Sequence, residues 1–158
     1  MSAGFDLRSS KPLLLAGIGN PDRGDDGFGP AVAARFSKLS LPNVETIACR
    51  RPLDLLDRWQ GRRLVILVDA ALPHERPGRL FRLEPLRQKV APAALSSTHS
   101  LGLFEVIALG RTLDLLPHRL VLYAVEALGF SPGAALSPLV AAAVGKAVRR
   151  IARECRAA

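Results

Sequence analysis

A chain of 158 residues with 49% apolar content can bury a hydrophobic core without disulfide staples, so one domain over 1–158 is expected, with an ordered core from about 12 to 153. The formal charge of +8 comes almost entirely from scattered arginines, among them Arg50-Arg51, Arg62-Arg63 and Arg149-Arg150. With no long basic run, and one Tyr and one Trp to stack on bases, nucleic acid is not an expected partner; solvent or an acidic protein suits this surface better.

The elements alternate. Leu13–Ile18 is a continuous apolar run and reads as a buried strand. Behind Pro30, which a first helical turn tolerates, Val32, Phe36 and Leu39 recur at helical spacing. Asn43–Ala48 alternates like a strand, and Leu53–Trp59 reads as a short helix opened by Pro52. Leu64–Val68 is a second buried strand ending at Asp69, and Arg79–Leu83 an edge strand. A helix over Leu101–Leu109 stopping at Gly110, a strand over Arg119–Val125 and a helix over Leu139–Ile151 complete the chain. The pattern predicts an α/β fold: a three-layer sandwich with a twisted, mainly parallel sheet and helices on both faces. Cys49 and Cys155 form no C-x-x-C pair and read as inert thiols. Residues 1–10 lack the apolar core of a signal peptide and no segment reaches the length of a membrane span, so a cytoplasmic, monomeric protein without membrane contact is expected.

Chemistry concentrates where strands end. The first strand runs through Gly17-Ile-Gly-Asn20 into Asp25-Asp26-Gly27, two adjacent carboxylates at a helix entrance. A glycine loop built for phosphate gathers donors around an anion, and two carboxylates in its mouth would repel that guest; a cation fits better. Asp69 closes the apolar run, and His99 stands in Ser96-Ser-Thr-His-Ser100 just before a helix. Open α/β sheets bind ligands at their carboxyl edge, so Asp26, Asp69 and His99 can converge there, and two carboxylates plus an imidazole suit Ni, Zn, Fe or Mn without choosing among them. Each has a plainer reading as well: Asp26 as a helix cap, Asp69 as a turn residue, His99 as a loop histidine. His74 and His118 lie in proline-containing loops and read as surface residues. A dinucleotide site fails, because Asp22 occupies the third glycine position after Gly17 and Gly19.

Gly17-Ile-Gly-Asn20, Asp25-Asp26-Gly27-Phe-Gly29, Val68-Asp69-Ala70, Ser97-Thr-His99 and Leu136-Ser-Pro138 together resemble the hydrogenase maturation endopeptidases, over roughly residues 13–150. The resemblance implies a twisted sheet between helix layers, with Asp26, Asp69 and His99 as both metal ligands and catalytic residues. It implies a nickel-dependent endopeptidase that removes the C-terminal extension of a [NiFe]-hydrogenase large-subunit precursor. The resemblance also implies that the nickel is supplied by that precursor, with another divalent metal as an expected substitute in vitro. Asp25, Asn20 and Glu126 are expected to support the ligands from behind. The family often has a Gly-Val/Ile-Glu/Gln-Pro motif after the last strand; here the sequence is Ala124-Val125-Glu126-Ala127, which leaves the shape of that loop open. The alternative function is a maturation chaperone that recognises the metallated precursor without cutting it.

Overall fold

The computed structural model describes residues 11–89 and 102–158. Its elements are β1 (Leu13–Ile18), α1 (Phe28–Ser37), β2 (Val44–Cys49), α2 (Leu56–Trp59), β3 (Val65–Ala71), β4 (Leu80–Leu83), α3 (Leu103–Thr112), β5 (Leu120–Glu126) and α4 (Pro138–Ala157). A 3-10 turn over Gly24–Gly27 leads into α1 and another over Pro52–Leu55 leads into α2. One five-stranded sheet has the order β2-β1-β3-β5-β4. β1 pairs in parallel with β2 and β3, β3 in parallel with β5, and β4 is an antiparallel edge on β5.

Every residue of β1, β3 and β5 is buried, as apolar strands covered on both faces should be. Successive residues feed opposite layers. Leu13, Leu15, Val68 and Tyr123 pack with Phe28, Val32 and Phe36 of α1 and with Val140, Ala147 and Ile151 of α4. Leu14, Ala16, Leu67 and Leu122 pack with Leu55, Trp59, Val106 and Ile107 on the other side. Truncating Phe36 or Trp59, both fully enclosed, to Ala costs about 3–5 kcal/mol. The expected α/β sandwich is therefore what the chain forms.

Several boundaries differ from expectation for identifiable reasons. β3 does not end at Asp69: its ladder with β5 continues through Asp69↔Ala124 and Ala71↔Glu126, so strand pairing overrides the polar residue. α3 runs through Gly110 to Thr112, and the bare backbone of Gly110 is where Leu116 and Leu56 pack closely. α4 extends beyond Ile151 to Ala157, continuing its apolar face through Ala152 and Cys155. Leu39, expected on the buried face, lies past the end of α1 and is 42% exposed.

Two arginine systems hold the frame. Arg62 is buried, not a surface charge: it donates to the carbonyls of Pro12 (2.8 Å) and Arg58 (2.6 Å) and pairs with Glu45. At the β4 flank, Arg119 donates to Glu84 (2.7 Å), Tyr123 donates its hydroxyl to Glu154 (2.7 Å), and Arg82 bonds both carboxylates. The hydrogen bond from Arg119, then that from Arg82, outweighs desolvation and holds Glu84 down at about 2. Burial, then the Glu154 contact, pushes Tyr123 up to about 12. Among the described residues no helix is long and apolar enough to cross a membrane.

Candidate active site

The strand order reverses beside β1: the chain leaves β1 for β2 on one side and returns through β3 on the other. The carboxyl ends of β1 and β3 therefore flank the switch point, where open α/β sheets leave a crevice. Asp26 follows β1 and Asp69 lies in the last third of β3, so both expected carboxylates belong to this one edge.

The turn after β1 is shaped by backbone approach. Gly19 has φ +140°, and a Cβ there would collide with the carbonyl of Asp26; only glycine fits. At Gly29 the first turn of α1 sits so tightly on the carbonyls of Ile18 and Val68 that a side chain is excluded, which seats the Asp25-Asp26 turn against the ends of both strands. The alternation of Gly and small residues in the motif thus has a packing cause.

Asp26 is 4% exposed and its Oδ2 accepts from the Asn20 N–H at 2.8 Å. It is not a helix cap, since the N-cap of α1 is Gly27 and no side chain caps it. Asn20 supports Asp26 through its backbone, while its own Oδ1 accepts from the Asp22 N–H at 2.9 Å and tightens the turn. Asp69 is buried, and its Oδ1 accepts from the Ala70 N–H at 2.8 Å. It shares a small pocket with Leu103 and Phe104, so the helix that follows His99 in sequence starts beside it.

Asp25 has a different role from its neighbour. Its carboxylate is fully enclosed and accepts four hydrogen bonds: from the N–H groups of Leu128 (2.8 Å), Gly129 (3.3 Å) and Ser137 (2.7 Å), and from the Ser137 hydroxyl (2.9 Å). Asp25 clamps the segment between β5 and α4 onto the β1–α1 turn. These bonds fix the loop that the Ala124-Val125-Glu126-Ala127 sequence left open, without the glycine or proline. Ser137 is the N-cap residue of α4, yet its hydroxyl serves Asp25 and not the helix. Sequence reasoning missed Ser137 as a partner; its place before Pro138 at a helix start was the available signal.

Glu126 is buried and turned elsewhere. Both its carboxylate oxygens accept from the Arg76 N–H (2.9 and 3.0 Å), and its backbone bonds Gly78 and Arg79, so it fastens the β3–β4 connection. His74 and His118 are exposed, and His118 lies before β5, at the opposite edge of the sheet. His99 lies outside the described residues. Among the described residues no three His, Cys, Asp or Glu side chains are gathered closely enough to hold a metal ion; the carboxylate oxygens of Asp26 and Asp69 are hard donors of the type that suits a divalent cation. Cys49, at the end of β2, is a protonated thiol: burial, then the charges of Asp54 and Asp69, push it up to about 11.

Comparison with known proteins agrees with this architecture. The chain is similar to a hydrogenase 2 maturation peptidase from a Thaumarchaeota archaeon, at 30% identity over 91% of this chain and 97% of that one, with a TM-score of 0.65. It is similar to the [NiFe] hydrogenase maturation protease HycI of Thermococcus kodakarensis, at 25% identity over 92% and 93% of the two chains, with a TM-score of 0.74. The hydrogenase maturating endopeptidase HybD of Escherichia coli shares the fold, at 23% identity over 92% of each chain and a TM-score of 0.72. Comparison with curated protein sequences gives no significant match. The family description "hydrogenase maturation protease" matches residues 46–154, which include Asp69 and His99, and the chain therefore belongs to the hydrogenase maturation protease family.

Proposed function

We propose that this protein is the endopeptidase that removes the C-terminal extension from the precursor of a [NiFe]-hydrogenase large subunit once nickel has been inserted. The observation that carries the reading is the pair of buried carboxylates, Asp26 and Asp69, on the two strands that flank the switch point in a chain of this family. Carboxylate oxygens are hard donors that suit a divalent cation. In this reading the cation is the precursor's own nickel, part of the substrate, and His99 is the third residue to meet it.

The work of this chain is then positional. Asn20 and Ala70 each fix one carboxylate oxygen through a backbone N–H, which orients Asp26 and Asp69 before the substrate arrives. The Asp25 clamp holds the loop over residues 128–137 against that turn, so the wall of the crevice does not have to be ordered at the moment of binding. Nickel docked against the two carboxylates brings the adjacent scissile bond to the crevice, where its charge polarises the peptide carbonyl.

The test is to incubate the purified protein with nickel-loaded and with nickel-free precursor and to read the C-terminal mass. Shortening of the loaded form alone is the expected result. Equal trimming of the nickel-free form overturns the nickel requirement, and binding of the loaded form with no change in mass overturns the protease in favour of the chaperone.

A further inference from the structure

Beyond the carboxyl edge, the side chains of α4 and the end of α1 form a second concave surface. A groove of about 370 Å³ lies between Leu39 and the last turns of α4, walled by Arg149, Arg153 and Arg156 and floored by Val148 and Ala152. α4 starts at Pro138, beside the clamp on Asp25, and the groove begins about ten residues later, so its middle lies roughly 20 Å along the helix from Ser137, at a rise of about 1.5 Å per residue. The two surfaces are separate.

The charge of this groove is concentrated and uncompensated. Arg35 of α1 reaches the same helix: a methyl group built on Gly145 would meet its Nη1 at 3.3 Å and that of Arg149 at 3.4 Å, so two guanidinium groups converge on one notch. Among the described residues none of Arg35, Arg149, Arg153 and Arg156 has a carboxylate partner, whereas Arg82 and Arg119 on the neighbouring flank are each paired with Glu84 and Glu154. Like charges held together repel unless an anion joins them. Val148 and Ala152 close the floor and are themselves nearly buried, and Leu39 stands 42% exposed at the rim, so the matching ligand carries an apolar side chain for Leu39 as well as carboxylates. A nucleic-acid backbone offers nothing apolar to Leu39, and among the described residues the lining holds no aromatic side chain to stack on bases.

We propose that the groove between Leu39 and Arg149–Arg156 is a docking site for an acidic, amphipathic segment of a partner protein, whose carboxylates meet the arginines while its apolar side chains pack against Leu39. The site works at a distance from the carboxyl edge and stands whether or not that edge cleaves a peptide.

The test is fluorescence anisotropy with a labelled synthetic peptide carrying Glu and Leu at helical spacing, run beside an all-Glu peptide of equal length and a single-stranded DNA oligonucleotide. The Glu/Leu peptide binds the wild-type chain tightest and loses affinity as salt rises. Arg149→Glu with Arg153→Glu weakens it by about 10-fold or more, and Leu39→Asn by about 3-fold. Arg63→Glu with Arg111→Glu, exposed on other surfaces and equal in net charge, changes it less than about 2-fold. Arg149→Gln with Arg153→Gln, which keeps the length of both side chains, gives the same direction if charge reversal disturbs the helix. The proposal is overturned if the Arg149/Arg153 pair weakens binding no more than the Arg63/Arg111 pair does. It is also overturned if the all-Glu peptide or the oligonucleotide binds as tightly as the Glu/Leu peptide. Asp26→Ala and Asp69→Ala bind the peptide like wild type, which keeps this result separate from any failure of cleavage.

Discussion

Two groups of acidic side chains in this molecule are satisfied in different ways. At the β4 flank, Glu84 and Glu154 meet Arg82, Arg119 and the Tyr123 hydroxyl, so each negative charge is answered by a positive one and Glu84 is held at about 2. At the carboxyl edge, the hydrogen bonds described for Asp25, Asp26 and Asp69 come from backbone N–H groups and one serine hydroxyl. The first arrangement locks an edge strand to a helix; the second fixes the direction of carboxylate oxygens through backbone N–H groups, which is the preorganisation the proposed site requires.

The largest effect that sharpens this contrast is on processing. Asp26→Ala, Asp69→Ala and His99→Ala each reduce precursor shortening by about a thousand-fold or more, with circular dichroism unchanged, because groups that act as one unit fail together. Normal trimming by any of the three would break the comparison. Asp25→Ala comes next and differs in kind: it leaves three backbone N–H groups and a serine hydroxyl without their acceptor, and lowers stability by about 3 kcal/mol in urea unfolding, with processing down about 10–100-fold. The metal content of the isolated protein follows. With Asp26 and Asp69 the carboxylates given by the described residues, divalent ions bind modestly and the purified protein carries less than one equivalent; a zinc that resists chelation and whose removal unfolds the chain would contradict this.

The flank responds to pH. Folded Glu84 titrates near 2 and not at its ordinary 4.5, so its stabilising contribution is fully present above pH 4.5 and is lost as the pH falls through 2. Thermal unfolding followed from pH 5 downward shows this loss in the wild type, and Glu84→Gln flattens it. Smallest of all, His74→Ala and His118→Ala leave processing within about 2-fold of wild type, as substitutions of exposed side chains usually do.

Local pattern carried much of this fold. β1 matched its apolar run residue for residue, since a continuous stretch of Leu, Ala and Ile has few alternatives to a doubly covered strand. A misread boundary shows where a partner far away in sequence decides: Asp69 stays in β3 because β5 pairs with it. The same limit applies to the site. Asp25 and Asp26 are neighbours of identical chemistry, and nothing local distinguishes them; the partners that make Asp25 a clamp are 103 to 112 residues away. Glu126 was read toward the ligands and instead fastens Arg76, 50 residues before it. Arg62, counted with the surface charge, is sealed under Pro12 and Glu45.

The central claim, that Asp26 and Asp69 present their charge to the nickel carried by the precursor, is tested most directly at the metal. Nickel X-ray absorption is recorded on the loaded precursor alone and on its complex with this protein, freeze-quenched before cleavage. The account predicts that wild-type protein adds oxygen ligands to the nickel and that the Asp26→Ala, Asp69→Ala double variant adds none. A nickel spectrum that is identical in the free precursor and in the bound, uncut wild-type complex would contradict it.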